Sequence, residues 1–448
     1  MSALAGWVLF EWAAQPFYTL IQTFLFAPYF ATVVVGDPDR GQAVWGYAAA
    51  FAGVLVAIGS PILGAVADAG GRRKPWVALF VALMVVGMCG LWFATPNLSG
   101  PTFWLVIAAY ALAFAAAEFA AVFVNAIMPT LVPYEKLGRL SGIGWGIGYA
   151  GGLASLVLVA GLVVTTETGR TLLGLQPIVQ LDASLREGDR LVGPLSAVWL
   201  LLFVLPFFLF VPDHVRPRPA GAARASIGSA LSSLWETLRD VPNHRDVLYL
   251  LLARLLYADG LAAIFIFGGI YGTQVFGWGT FDRGVFGIIL TLAGAIGAIA
   301  GGFIDDRIGA KTVIVGALVA MLVGIIGILS VDKTHVLFSL DVPAKVAGSQ
   351  TFSSTGEMVY LGFALVIGLV AAPVQAATRS LLARLAPPDR MTQYFGLFAF
   401  SGKATAFLAP LLIAGITQAT GSQRWGVAVT ALFLAAGIAL MMPVRDRR

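Results

Sequence analysis

Long apolar runs, uninterrupted by any two-residue alternation, organise this chain. About twelve of them approach the roughly 20 residues that a helix needs to cross a hydrocarbon layer of about 30 Å. They begin near Ala5, Ala43, Trp76, Phe103, Leu140, Gly193, Val247, Gly284, Thr312, Met358, Tyr394 and Gly426. Barrel strands would be shorter and would alternate apolar and polar positions, so the pattern predicts helices. Between the sixth and seventh runs the pattern changes. DHVRPRPAGAARAS opens at residue 213, and Ile227, Leu231, Leu234 and Leu238 then share one helical face. That spacing predicts an amphipathic helix at the membrane surface, with Trp235 and Arg239 as anchors. The expected fold class is an all-α polytopic membrane protein with a six-helix bundle over 1–212, a linker over 213–245 and a second six-helix bundle over 246–448.

The two bundles are written in one pattern. GAVADAGGRRKP at 64–75 returns as GGFIDDRIGAKT at 301–312, so that Gly64, Asp68, Gly71 and Arg73 match Gly302, Asp306, Gly309 and Lys311. A second echo follows, in which Pro133, Glu135, Lys136, Gly142 and Gly148 match Pro387, Asp389, Arg390, Gly396 and Gly402. Duplicated membrane-embedded halves are the architecture of rocking transporters. Gly144, Gly148 and Gly152, with Gly297 and Gly301, form small stripes that let helices approach closely in lipid, either as static packing or as a sliding contact.

Composition narrows the class. With 59% hydrophobic and 11% charged residues and a mean hydropathy of +0.87, the chain belongs in a bilayer. Eighteen basic residues fall in one set of loops and eight in the other, which places both termini in the cytoplasm, with a bacterial inner membrane as the expected location. The net charge of +5 therefore reflects topology and implies no nucleic-acid partner. MSALAGWVLF lacks a basic n-region and a clear cleavage site, so the first span is expected to remain attached. Cys89 stands alone, and His214, His244 and His335 have no ligand spacing, so neither a metal nor another cofactor is expected. No Walker sequence and no hydrolase motif occurs, which argues against a direct ATP engine and against an enzyme.

The duplicated corner, a G-x-x-x-D-[R]-x-G-[R]-[K] pattern, resembles the signature of the major facilitator superfamily. Ala69 and Ala310 depart from it. The resemblance implies that Asp68 docks near Thr392 and Asp306 near Ser141, each carboxylate at the positive end of a helix from the opposite half. Asp68, Arg72, Arg73, Asp306, Arg307 and Lys311 would then act as gating residues; the alternative is a solvated turn that fixes topology. FEWAAQPFYT at 10–19, NAIMPTLVP at 125–133, SGIGWGIGYAGG at 141–152, LLYADG at 255–260, QAATRSLLARLAP at 375–387 and FGLFAFSGKATAFLAP at 395–410 are similar to the autophagy-related vacuolar amino-acid effluxers and their bacterial relatives. That narrower resemblance implies transport of a small solute, with a leaning toward export of neutral amino acids.

Five ionisable residues lie inside expected spans: Glu11, Glu118, Arg254, Asp259 and Lys403. A central charge costs about 2.5–3.5 kcal/mol on insertion scales, so such groups line a wet cavity or pair internally. By the superfamily's arrangement all five belong to spans around or beside a central cavity. A mixed-sign set suits a zwitterion, its carboxylate toward Lys403 or Arg254 and its ammonium toward an acid, with Gln15, Asn125, Tyr257 and Gln375 as orienting groups. Glu118 or Asp259 is the expected proton carrier, and fixed pairing that merely holds helices together is the competing reading. Trp12, Phe17, Tyr18, Trp145 and Phe398 are candidate walls, and Pro16, Pro129 and Pro373 candidate kinks. Expected partners are the bilayer, a small solute and a proton, for a monomer; a sensor using the same cavity, or a transporter of another solute class, remains open.

Overall fold

A computed structural model describes residues 2–165, 169–171, 174–213, 227–346 and 349–446. The linker residues 214–226, with His214, Arg216, Arg218 and Arg224, lie outside the described set, as do Arg447 and Arg448. Among the described residues, eleven helices are long and apolar enough to cross a membrane. We number them as spans: 1 (Ala3–Val34), 2 (Pro38–Gly70), 3 (Lys74–Phe93), 4 (Gly100–Thr130), 5 (Tyr134–Leu162), 6 (Glu187–Phe210), 7 (Arg245–Phe276), 8 (Phe281–Ile308), 9 (Ala310–Leu329), 10 (Thr355–Leu385) and 12 (Gln423–Met441). Span 11 is made of two shorter helices, Met391–Ser401 and Leu408–Thr420.

The chain forms two compact units. Unit 1 holds Met1–Leu131, Ile147–Leu234 and Pro388–Ala399; unit 2 holds Val132–Gly146, Trp235–Pro387 and Phe400–Arg448. Each unit therefore contains a short piece of a span whose remainder lies in the other. The pieces are the first turns of spans 5 and 11, the segments that carry most of the second sequence echo.

Local chemistry fixes the ends of the spans. Asp37 accepts from the backbone N–H groups of Asp39 and Arg40 at 3.0 and 3.1 Å, and Pro38 begins the helix, so span 2 starts on a side-chain cap. Span 2 stops at Gly71, whose φ of 80° needs a residue without a Cβ. Ser354 and Glu357 form a capping box at the start of span 10. In unit 1 the core between spans 1, 2 and 4 is aromatic, with Trp45 stacked on Tyr110 at 3.6 Å between centroids. Unit 2 has its own cluster of Tyr271, Phe276, Trp278 and Tyr360, and there Trp278 donates its indole N–H to Glu357 at 2.8 Å.

Four elements differ from the apolar pattern. Span 11, expected to run unbroken from near Tyr394, is interrupted over 402–407, where no Pro lies. Span 1 leaves α-helical geometry after Pro16 and continues as wider π turns over Phe17–Phe24 and Phe30–Val34. Pro129 does not kink span 4 but sits in a closing 3₁₀ turn, Met128–Thr130. The helix Ile227–Asp240 forms, but its face is split: Ala230 and Leu234 pack on Ile62, Ala65 and Val66 of span 2, whereas Leu231, Trp235 and Leu238 are exposed. The loop before span 10 also carries a short hairpin, His335–Val336 with Leu340–Asp341.

Glycines set the close approaches. A Cβ on Gly148 would lie 3.5 Å from Glu11 and Gln15 of span 1, so that part of the span 5 stripe seats span 1 within unit 1. Gly301 meets Pro373 of span 10, where a Cβ would come within 2.7 Å of the ring. Pro373 is thus a packing surface for a bare helix face.

Candidate functional site

The duplicated corner organises each unit in the same way. In unit 1 the Asp68 carboxylate, its side chain 3% exposed, accepts from the Thr392 hydroxyl at 2.5 Å, the Gln393 backbone N–H at 2.9 Å and the Arg73 guanidinium at 3.2 Å. Arg73 also donates to Thr392 at 2.8 Å, so one carboxylate and one guanidinium hold the start of span 11 between them. Gly64 makes this possible: a Cβ there would come within 3.0 Å of Gln393 Cα and closer still to the Thr392 carbonyl. An acid at an uncapped helix N-terminus is favoured by the helix dipole and by the free N–H groups. Arg72 is exposed.

In unit 2 Asp306 accepts from the Arg139 backbone N–H at 3.0 Å and pairs with its guanidinium at 3.3 Å. Arg139 stands where the second echo places Gln393, so the two acids read the same turn of spans 5 and 11. The resemblance placed Asp306 near Ser141; the structure puts it two residues earlier. Ser141 is instead held by Arg379, which is 4% exposed and donates to its hydroxyl and its carbonyl, each at 2.8 Å. The charge count assigned Arg379 and Arg384 to a loop, but span 10 continues to Leu385 and carries both on its last turns. Arg384 meets Asp305 at 2.7 Å, with side chains 5% and 1% exposed, and Ser380 also donates to Asp305. Arg307 is exposed.

Two further acids escaped the sequence reading. Asp213 accepts from the Arg73 backbone N–H at 3.1 Å, and Asp446 accepts from the Lys311 backbone N–H at 3.3 Å. Lys74 donates to the carbonyls of Phe208 and Val211 at 2.7 and 2.6 Å, as Lys311 donates to Met442 at 2.5 Å. Each corner is thus tied to the end of the last span of its half. The signal was present as an Asp just beyond the apolar runs of spans 6 and 12, outside the two echoes.

The intramembrane charges fall in both units. Unit 1 carries Glu11 and Glu118, both half-buried. Gln15 and Thr19 follow on span 1, beside Gly152 of span 5. Asn125 is half-buried near the end of span 4. Among the expected walls, Trp12 stacks on Trp199 at 5.6 Å, Phe17 packs on Tyr18 and Tyr110, and Phe398 packs on Phe395.

Unit 2 carries both bases and the acid Asp259. Arg254 donates to the Ser401 hydroxyl at 3.1 Å and lies over Gly402, so its charge sits at the carbonyl end of the helix Met391–Ser401. Lys403 lies in the interruption of span 11 and is half-buried. Tyr257 is 2% exposed and shares a 2.6 Å hydrogen bond with Thr378 of span 10. Gln375 is half-buried on span 10, and Trp145 lies 6.0 Å from the Arg379 guanidinium. Asp259 shares its helix face with Leu256 and Ala263, which pack against spans 11 and 12. Among the described residues no group of three or more His, Cys, Asp or Glu side chains could hold a metal ion.

A family model described as "Vacuole effluxer Atg22 like" matches residues 39–448. An uncharacterised MFS-type transporter, YxiO of Bacillus subtilis (strain 168), is 22% identical over 97% of this chain and 93% of its own length. Autophagy-related protein 22-1 of Neosartorya fischeri is 26% identical over 69% of this chain, which spans about half, 48%, of that fungal relative. Among solved structures, the major facilitator transporter FucP in its outward conformation superposes with a TM-score of 0.70 at 14% identity, covering 99% of this chain and 98% of FucP. The proton:xylose symporter XylE gives 0.68 at 13% identity, covering 99% and 94%.

Proposed function

The chain belongs to the Atg22-like vacuole effluxer family and is a transporter of the major facilitator type; from that premise we propose that it moves a small zwitterionic solute, a neutral amino acid first among them, outward by alternating access coupled to protons. The observation that carries the reading is the mirrored corner. Asp68 on the N–H of Gln393 and Asp306 on the N–H of Arg139 are charge-assisted contacts that can be made and broken as a pair. Two such contacts give the two-state element that alternating access requires. The mixed signs of Glu11, Glu118, Arg254, Asp259 and Lys403 support the solute class, since a zwitterion carries one charge of each sign.

Counterflow in proteoliposomes across amino acids, nucleosides, sugars and peptides tests the reading. Accelerated exchange of a neutral amino acid is expected; binding without counterflow would make the protein a sensor. We assign the proton to Glu118, a carboxylate set within span 4 where a fixed charge is costly unless it lines a wet cavity or is paired. Glu118→Gln is expected to lower proton-driven flux about 5–150-fold while sparing expression and proton-independent exchange. Unchanged dependence of flux on the proton gradient would remove Glu118 from the role. Lys403→Ala is expected to weaken solute binding about tenfold, the lower end for a hydrogen bond to a charged group, with the melting temperature kept. Equal affinity in the variant would leave Lys403 a structural residue.

A further inference from the structure

Along span 2, Tyr47, Phe51, Leu55 and Ile58 are large, apolar and exposed. At helical spacing they form one stripe, which in a span of this length and hydropathy faces acyl chains. Carried on at the same spacing, the stripe reaches Ile62, Ala65 and Val66. Those three are covered, by Ala230 and Leu234 of the helix Ile227–Asp240. That helix therefore occupies the place where lipid would otherwise touch the last turns of span 2, on the side of the duplicated corner.

The helix has three sides. Ala230, Ser233, Leu234 and Thr237 are turned toward the protein, and Ser229, Ser232, Glu236 and Arg239 form a polar, exposed side. The third side, Leu231, Trp235 and Leu238, is apolar and 43–57% exposed. Beside a lipid-facing stripe, three such side chains extend it outward. The Arg239 guanidinium lies over the Trp235 ring, 5.0 Å from its centroid, at the seam between the apolar and polar sides. An aromatic at headgroup level with an arginine reaching toward phosphate has this arrangement. At 14 residues the helix is marginal alone, and its apolar contact with span 2 is small, so burial of the third side in lipid is what keeps it formed and docked.

The same helix reaches the corner. Ser233 accepts from the side-chain amide of Gln393 at 3.1 Å, while the backbone N–H of Gln393 donates to Asp68 at 2.9 Å. One residue at the start of span 11 is thus gripped from two directions, and all the groups involved belong to unit 1. We propose that Leu231, Trp235 and Leu238 dock on the phospholipid leaflet at the corner's end of the chain, and that the docked helix, through Ser233, clamps the Gln393 turn onto Asp68. This inference rests on the transport reading only for what the clamp does to flux.

Spin labels at Leu231→Cys, Leu238→Cys and Glu236→Cys, each in the full chain with Cys89→Ser, test the docking in vesicles of phosphatidylcholine and phosphatidylglycerol. The first two are expected to relax with dissolved oxygen, which concentrates in lipid, about as fast as a label at Ile58→Cys, and the third with a water-soluble nickel chelate. Labels at 231 and 238 that are as open to the chelate as the one at 236, or that are shielded from both reagents as a second copy of the chain would shield them, overturn the docking. Hydrogen exchange of the helix Met391–Ser401 in the same vesicles tests the clamp. Ser233→Ala is expected to speed exchange of its first turn about 2–10-fold, the effect of losing one hydrogen bond, and Leu231→Glu with Leu238→Glu to speed it at least as much while span 4 stays protected. Unchanged exchange in both variants overturns the clamp. Counterflow of solute is read separately: its absence from the wild-type protein would remove the transport reading and leave the lipid-docked clamp standing, and the reverse.

Discussion

Asp305→Ala is expected to destabilise the folded protein by about 3 kcal/mol, near the lower end of the cost of orphaning one partner of a buried ion pair. Arg384 is 5% exposed and would lose its 2.7 Å partner. Water cannot replace it, and the flanking acids compensate only partly: Asp306 stands 4.0 Å from Arg384 and Asp446 3.9 Å. Those two neighbours are the reason for taking the low end. Thermal unfolding of the purified variant measures the loss. A paired replacement, Asp305→Leu with Arg384→Met, removes both charges and is expected to recover most of the stability, since well-packed apolar side chains often match or exceed a buried pair. A wild-type melting temperature in Asp305→Ala would show that Asp306 and Asp446 hold the guanidinium unaided.

Asp68→Asn is expected to leave expression intact and to lower solute counterflow at least about tenfold. The amide keeps one acceptor for the Gln393 N–H but loses the charge that serves Arg73, Thr392 and Gln393 together. Hydrogen bonds to a charged group contribute about 1.5–3 kcal/mol, and a contact made in only one of two states shifts their balance by about 10–150-fold. Asp306→Asn is expected to do less, because the Arg139 side chain is 46% exposed and water screens that pair. Counterflow rates of the two variants, normalised to folded protein, check the order. Wild-type flux in Asp68→Asn would reduce the first corner to a fixed brace.

The helical class and the membrane setting were legible because span length and apolar continuity are one-dimensional properties. The corner was legible because it is repeated: Asp68 and Asp306 matched in register before their partners were known. What the apolar pattern missed depends on where backbone and side chains go in three dimensions. Span 10 outruns its apolar stretch, so Arg379 and Arg384 read as loop residues although their side chains end on Ser141 and Asp305. Asp305, beside the echoed Asp306, had no signal of its own, because the matching position in the first half is Ala67. The break at 402–407 is hidden because glycine, alanine and threonine are unremarkable in a membrane helix. Asp213 and Asp446 lie beyond the echoes, and only the geometry shows that they cap the same helix start in each half.

One feature of the units bears on biogenesis. Unit 1 is completed by Pro388–Ala399, and the Thr392 hydroxyl that meets Asp68 lies 324 residues later in the chain. At about 5–20 residues per second, the ribosome delivers that segment tens of seconds after the first hairpin of spans 2 and 3 has been inserted. Through that interval both span 11 partners of Asp68 are still missing, whereas Arg73, 3.2 Å from it in the folded protein, is already in the chain five residues away.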